Sequence, residues 1–207
     1  MKRFLSVPAV LTLGLFCSCV GLRSDIVLNA NGTGRITLEY RVSRRLEAIG
    51  ALDGTANRPV VPVSRADFER GVKRLEGLRL SSFSSSEEGG DLVTKAVVSF
   101  TRLENILPLL DSGGGATLRR EGDRRILRMR FDAAGEDIDT ELLALMEQNS
   151  PAYTIALSLS APGNVNLRVT GDREGLVIEE SGGRAGFSTA LSRFLRPGKD
   201  LELEFVF

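Results

Sequence analysis

The chain of 207 residues contains no histidine and no tryptophan, and its only cysteines are Cys17 and Cys19. Without histidine there is no Ser-His-Asp or Cys-His catalysis and no His/Cys zinc site. With both cysteines so near the N-terminus, the rest of the chain carries no disulfide framework. Tyrosine occurs only as Tyr40 and Tyr153, so stacking platforms for bases or sugars are scarce. Charge of neither sign dominates: 27 basic residues stand against 27 acidic ones, and losing Lys2 and Arg3 with a leader would leave the remainder slightly acidic. That balance disfavours nucleic acid as a partner. No P-loop, G-x-S-x-G or complete G-x-G-x-x-G is present, and Asp111-Ser112-Gly113-Gly114, with no histidine as base, reads as a glycine turn. The expectation is a protein that is not an enzyme, with no catalytic residue, no metal and no cofactor.

What is there begins with a leader. Lys2 and Arg3 precede an apolar run from Phe4 to Phe16, and small Ser18 stands directly before Cys19. A membrane-spanning helix needs about 20 apolar residues, more than this run supplies, so export and cleavage fit better than a permanent span. The segment resembles the signals of bacterial lipoproteins, with Cys19 in the acceptor position. Cys17 suits that position less well, because bulky Phe16 would precede the cut. The resemblance implies a diacylglyceryl thioether on Cys19, usually with a further N-acyl chain, and hence a partner in the membrane itself. Two acyl chains hold a domain stably where one gives only marginal binding. The alternative is a plain signal peptide and a soluble periplasmic product. The expected division is residues 1–18 as signal peptide, 19–24 as lipidated tether and 25–207 as one extracytoplasmic domain.

Along the domain, apolar alternation through Ile26 and Leu28, then Ile36, Leu38 and Tyr40, flanks Asn31-Gly32, a strong hairpin signal. Helices are expected around Leu46 to Leu52, from Ser64 with Asp67 in the capping-box position, and from Thr101 with Glu104 likewise. Pro108 should end the last of these early. Another is expected over Ile138 to Met146, and a short one capped by Ser188. Strands are expected around Leu78 to Phe83 with a bulge near Ser81 and Ser82, then Leu92 to Phe100, a hairpin over 116–122 and 124–131, Tyr153 to Leu159, Val165 to Val169, Leu176 to Ile178, and Leu201 to Phe207. Short turns between consecutive strands imply antiparallel pairing. The expected class is α+β, an antiparallel sheet with amphipathic helices packed mainly on one side.

The second hairpin concentrates arginine. Arg119, Arg124, Arg128 and Arg130 are the candidate site for an anionic lipid headgroup, held by bidentate guanidinium contacts. The plainer reading is a solvated sheet face with Glu39, Glu202 or Glu204 as cross-strand partners. Val98-Ser99-Phe100-Thr101, Leu107-Pro108-Leu109-Leu110, Leu118-Arg119-Arg120-Glu121-Gly122 and Leu159-Ser160-Ala161-Pro162-Gly163, with the closing strand, resemble the LppM-like bacterial lipoproteins over residues 92 to 207. The resemblance implies a cell-envelope α+β domain with an amphiphile-binding surface, and it carries over no binding residue. The expected function is a lipid-anchored, non-catalytic envelope protein that binds a lipid or amphiphile at the membrane. The alternative is an envelope interaction or assembly module with a protein partner, acting through a sheet edge or the arginine hairpin. A hydrolase using carboxylates alone would need a converging pair that the spacing does not supply.

Overall fold

The structure, a computed structural model, describes residues 20–43, 64–110, 115–132, 153–195 and 198–207. Its first turn forms where Asn31-Gly32 marks it. The Asn29 amide donates to the Thr33 carbonyl at 2.8 Å, and Gly32 adopts φ +83°, a left-handed value that costs glycine nothing. On either side lie β1 (Val20–Leu28) and β2 (Gly34–Ser43), paired antiparallel with Ile26 opposite Ile36. Gly34 has a steric role, because a Cβ there would meet the Phe100 ring at 2.4 Å.

The remaining strands are β3 (Leu78–Glu88), β4 (Asp91–Phe100), β5 (Ala116–Glu121), β6 (Arg124–Phe131), β7 (Thr154–Ser160), β8 (Asn166–Gly171), β9 (Val177–Ser181), β10 (Arg184–Ala190) and β11 (Leu201–Val206). They form a seven-stranded sheet in the order β3-β4-β2-β1-β7-β10-β9 and a four-stranded sheet in the order β5-β6-β11-β8. The expected bulge is present, since the register of β3 on β4 shifts between Leu80 and Ser82. Neighbouring strands pair antiparallel with one exception: β1 and β7, far apart in sequence and joined by no turn, run parallel at the centre of the large sheet.

The two sheets share one core. Ile26, Ile36, Val98 and Leu159 from the large sheet and Leu127, Leu203 and Phe205 from the small one are fully buried in a single cluster. Phe131 of β6 meets Phe187 of β10 edge-on, with ring centroids 5.7 Å apart. Full burial of side chains of this size stabilises by about 1.5–3 kcal/mol each, which is why the alternation along each strand decides the register.

The α+β expectation is overturned: the architecture is mainly β, two packed sheets, and among the described residues amphipathic helices form no layer on one side. Among the described residues, α1 (Arg65–Lys73) is the one helix longer than a single turn. The segment expected to be helical after Thr101 is a 3₁₀ turn, Leu103–Ile106, followed by α2 (Leu107–Leu110). Pro108 has no N–H to give the Glu104 carbonyl, and the Leu107 amide takes that carbonyl in a 3₁₀ bond instead. Its start is also capped differently, by Asn105 Oδ1 accepting from the Arg102 amide at 2.9 Å. Ser188 caps no helix. It lies in β10, whose small residues hid a period-2 pattern of buried Ala185, Phe187 and Thr189, and only the 3₁₀ turn Leu191–Leu195 follows. The helices expected over 46–52 and 138–146 lie outside the described residues, as do Cys19 and the leader.

The strand expected to start near Ile26 starts at Val20, so Val20 to Ser24, read as tether from the sequence, are part of the sheet. Leu22 is half-buried between Tyr40 of β2 and Ile155 of β7 in the register, and Ser24 is buried. A chain beginning at Ser24 should therefore lose about 2–4 kcal/mol against one beginning at Val20, from lost ladder hydrogen bonds and the Leu22 contact. Paired urea unfolding curves measure this; equal midpoints would show that the first four residues of β1 contribute nothing.

Candidate functional site

The outward face of the four-stranded sheet gathers the arginines singled out by the sequence, and the register explains how. In β6, Arg128 lies opposite Glu204 of β11, which in turn lies opposite Arg168 of β8. Arg119 of β5 reaches the same carboxylate. Glu204 Oε1 accepts from Arg119 Nη2 at 2.9 Å and from Arg128 Nη2 and Nε at 3.1 and 3.2 Å, and its side chain is only 13% exposed. Arg128 also pairs with Glu202 at 3.4 Å, Arg119 with Glu121 at 3.3 Å, and Arg130 with Asp132 at 2.6 Å. That last contact pushes the Arg130 guanidinium above its usual range, the hydrogen bond to Asp132 being the main cause. The cross-strand partners expected at Glu202 and Glu204 are thus in place, whereas Glu39 sits on the other sheet, 3.9 Å from Lys95. Arg124 lies at the hairpin turn, opposite Glu121 in register. The four named arginines share one face and do not converge on one point. Arg168 was missed; the alternation of Val165, Leu167 and Val169 around it already placed it outward.

A second candidate lies where α1 crosses the large sheet. Phe68 and Val72, four apart, bury the inner face of α1, and Phe68 stands between Tyr40 of β2 and Phe83 of β3, with centroids at 5.9 and 5.6 Å. The bulge after Leu80 is what turns Phe83 to the inner face beside Ala96. Burial in this aromatic seam raises the Tyr40 phenol from 10.0 to about 12. No hydrogen bond to its hydroxyl is found among the described residues. A tyrosine hydroxyl in apolar surroundings is a natural handle for the polar end of a ligand whose body is apolar.

No family model matches the chain, and no curated protein matches it in sequence. Among solved structures, the NMR structure of the folded domain of Mycobacterium tuberculosis LppM matches with a TM-score of 0.50, covering 91% of this chain and 88% of that one. The chain shares its fold with the LppM domain. Sequence identity to LppM is 15%, so the likeness carries the architecture and assigns no role to any residue. It spans more of the chain than the stretch from 92 to 207 in which short motifs resembled LppM-like proteins.

Within this LppM-like architecture a third polar group closes one end of the sandwich. Arg193 is buried in the 3₁₀ turn before β11 and donates through Nη1 and Nη2 to the carbonyls of Glu174 and Asp172 in the β8–β9 loop. Lys199 pairs with Asp172 and, at 2.8 Å, with Glu174. The hydrogen bond from Lys199 holds the Asp172 carboxyl below the usual carboxylate range, and the same bond raises the Lys199 ammonium. These contacts lie between neighbouring turns and read as a clasp on the loop.

Two outcomes are expected. A folded Tyr40 pKa of about 12 against an unfolded value near 10 means the unfolded chain releases its proton first. Stability is therefore fully present below pH 10 and falls as pH rises from 10 towards 12, by on the order of 2 kcal/mol. Tyr40→Phe should flatten that part of an alkaline denaturation profile, and an unchanged profile would place the cause elsewhere. Glu204→Gln should cost about 1–2 kcal/mol in urea unfolding, because Arg119 and Arg128 lose a charged acceptor. The same variant should bind anionic vesicles more strongly than the wild type, which a sedimentation assay would show.

Proposed function

We propose that this chain is a lipid-anchored, non-catalytic domain of the bacterial cell envelope that binds a lipid or amphiphile beside the membrane. The observation that carries the reading is the start of β1 at Val20, the residue after Cys19. Acylation of Cys19 would leave almost no slack between the acyl chains and the seven-stranded sheet, so the domain works within reach of the bilayer surface and of little else. The fold shared with the LppM domain is consistent with an envelope protein. For the ligand, the aromatic seam under α1 is favoured over the arginine hairpin. Tyr40, Phe68 and Phe83 offer an apolar wall with one hydroxyl, whereas Arg119, Arg128 and Arg130 are already paired with carboxylates.

A second reading, a protein-binding module, is supported by β3. Among the described residues, this eleven-residue edge strand is paired on one side only, by β4, and exposes most of its serine-rich length. An open edge of that length can accept a strand from a partner.

The test uses the full chain expressed with its leader in a bacterial host. Mass spectrometry of the mature protein should show a diacylglyceryl group on Cys19, and Cys19→Ala should abolish it and release the domain from membranes. Native mass spectrometry should find a co-purifying amphiphile that survives high salt in the wild type and is depleted in Tyr40→Phe. An acylated chain that carries no amphiphile under these conditions would sink the lipid reading and leave the β3 edge as the working surface.

A further inference from the structure

Among the described residues, the large apolar side chains that stand exposed are Val177 at 56% and Ile178 at 41%, adjacent at the start of β9. Isolated exposed apolar residues are ordinary. These two are set apart by where the topology puts them. β9 runs antiparallel to β10, β10 antiparallel to β7, and β7 parallel to β1, so β9 and β1 start from the same end of the sheet. The register ties them row by row. Val177 lies opposite Ser188, Ser188 opposite Ala156, and Ala156 opposite Arg23 of β1. Val177 is thus three strand spacings, about 14 Å, to the side of β1, and level with a residue about 10 Å along it from Val20.

We propose that the β9 corner of the seven-stranded sheet rests on the bilayer that holds the chain, with Val177 and Ile178 entering the boundary between headgroups and acyl chains. The inference rests on acylation at Cys19. With that anchor beside Val20, a moderate tilt of the sheet towards β9 brings the apolar pair down to the surface that the anchor defines. The loop before this corner does not oppose the approach, and the acidic pair of β9, Glu179 and Glu180, lies about 7–10 Å farther along the strand from Val177. Asp172 and Glu174 of the adjoining loop are matched by Lys199, and Asp172 by Arg193 as well, so the loop presents no uncompensated negative charge to an anionic leaflet. A second copy fits the same edge less well. Antiparallel pairing of two β9 strands about their midpoint would set Glu179 against Glu179, and like charges directly opposite are destabilising.

The test is a depth measurement on the full acylated chain, in vesicles of phosphatidylcholine and phosphatidylglycerol. Val177→Cys gives the mature protein a single free thiol for an environment-sensitive fluorophore. Ala30→Cys, in the turn at the far end of β1, serves as the reference position. The label at 177 should shift to the blue on vesicle binding and be quenched severalfold more by spin-labelled lipid than the label at 30. Mass spectrometry of the same samples reports acylation. A label at 177 that lipid-borne quencher does not reach, on an acylated chain, overturns this inference and leaves the anchor reading standing. If that label is also shielded from a water-soluble quencher, a protein contact covers the corner instead. A chain without acyl groups that leaves the vesicles overturns both.

Discussion

The parallel ladder between β1 and β7 is the contact on which the large sheet depends. To one side of it lie β2, β4 and β3, to the other β10 and β9, and each of those strands is reached through antiparallel neighbours. The ladder runs from Leu22 opposite Ile155 to Val27 opposite Ser160, and its inward side chains, Ile26 and Leu159, are fully buried against the small sheet. On the outward side Asp25 of β1 accepts from Ser158 of β7 and pairs with Arg184 of β10 at 3.0 Å, so one carboxylate joins three strands. Without that ladder the large sheet would be two separate pieces, one of four strands and one of three. Neither alone could cover the inner face of the four-stranded sheet, where Leu203 and Phe205 are fully buried.

Much of the local structure was legible because it is written in short-range pattern. Asn31-Gly32 with alternation on both sides, the start of α1 just after Ser64, the bulge after Leu80 and the hairpin closed by Gly122-Asp123 each rest on neighbours in sequence. What escaped depends on distance or on weak pattern. The β1–β7 pairing joins segments with no turn between them, so no local signal announces it. β10 consists largely of small residues, and its apolar face became visible only once β7 supplied Leu157 and Leu159 opposite it. The segment after Thr101 has helical spacing, yet Pro108 and the closeness of β4 and β5 leave it only two tight turns. The class was misjudged for that reason: amphipathic spacing alone does not lengthen a helix where the chain must return at once to a sheet.

The candidate sites divide the same way. That Glu202 and Glu204 would stand across from the arginines followed from the alternation of the last strand, and the register places them there. Convergence of Arg119 and Arg128 on a single oxygen did not follow, because it needs the stagger of three strands. It turns what the sequence presents as a positive patch into a network with its own acceptors, and so moves attention to the seam at Tyr40. That seam was hidden because Tyr40, Phe68 and Phe83 belong to three elements, and only the bulge in β3 brings the third ring round.

The central position of β1 has a kinetic consequence. A chain synthesised from its N-terminus makes β1 and β2 early, and their hairpin can close within microseconds. The other side of β1, however, has no partner until β7 has been made, more than half the chain later. Through that interval the sheet's middle strand is an edge, with its amides and carbonyls open to any strand that passes. Long-range pairing of this kind is slow and exposes a folding chain to aggregation. Among the described strands, the first to be made is therefore the one that waits longest for its second neighbour.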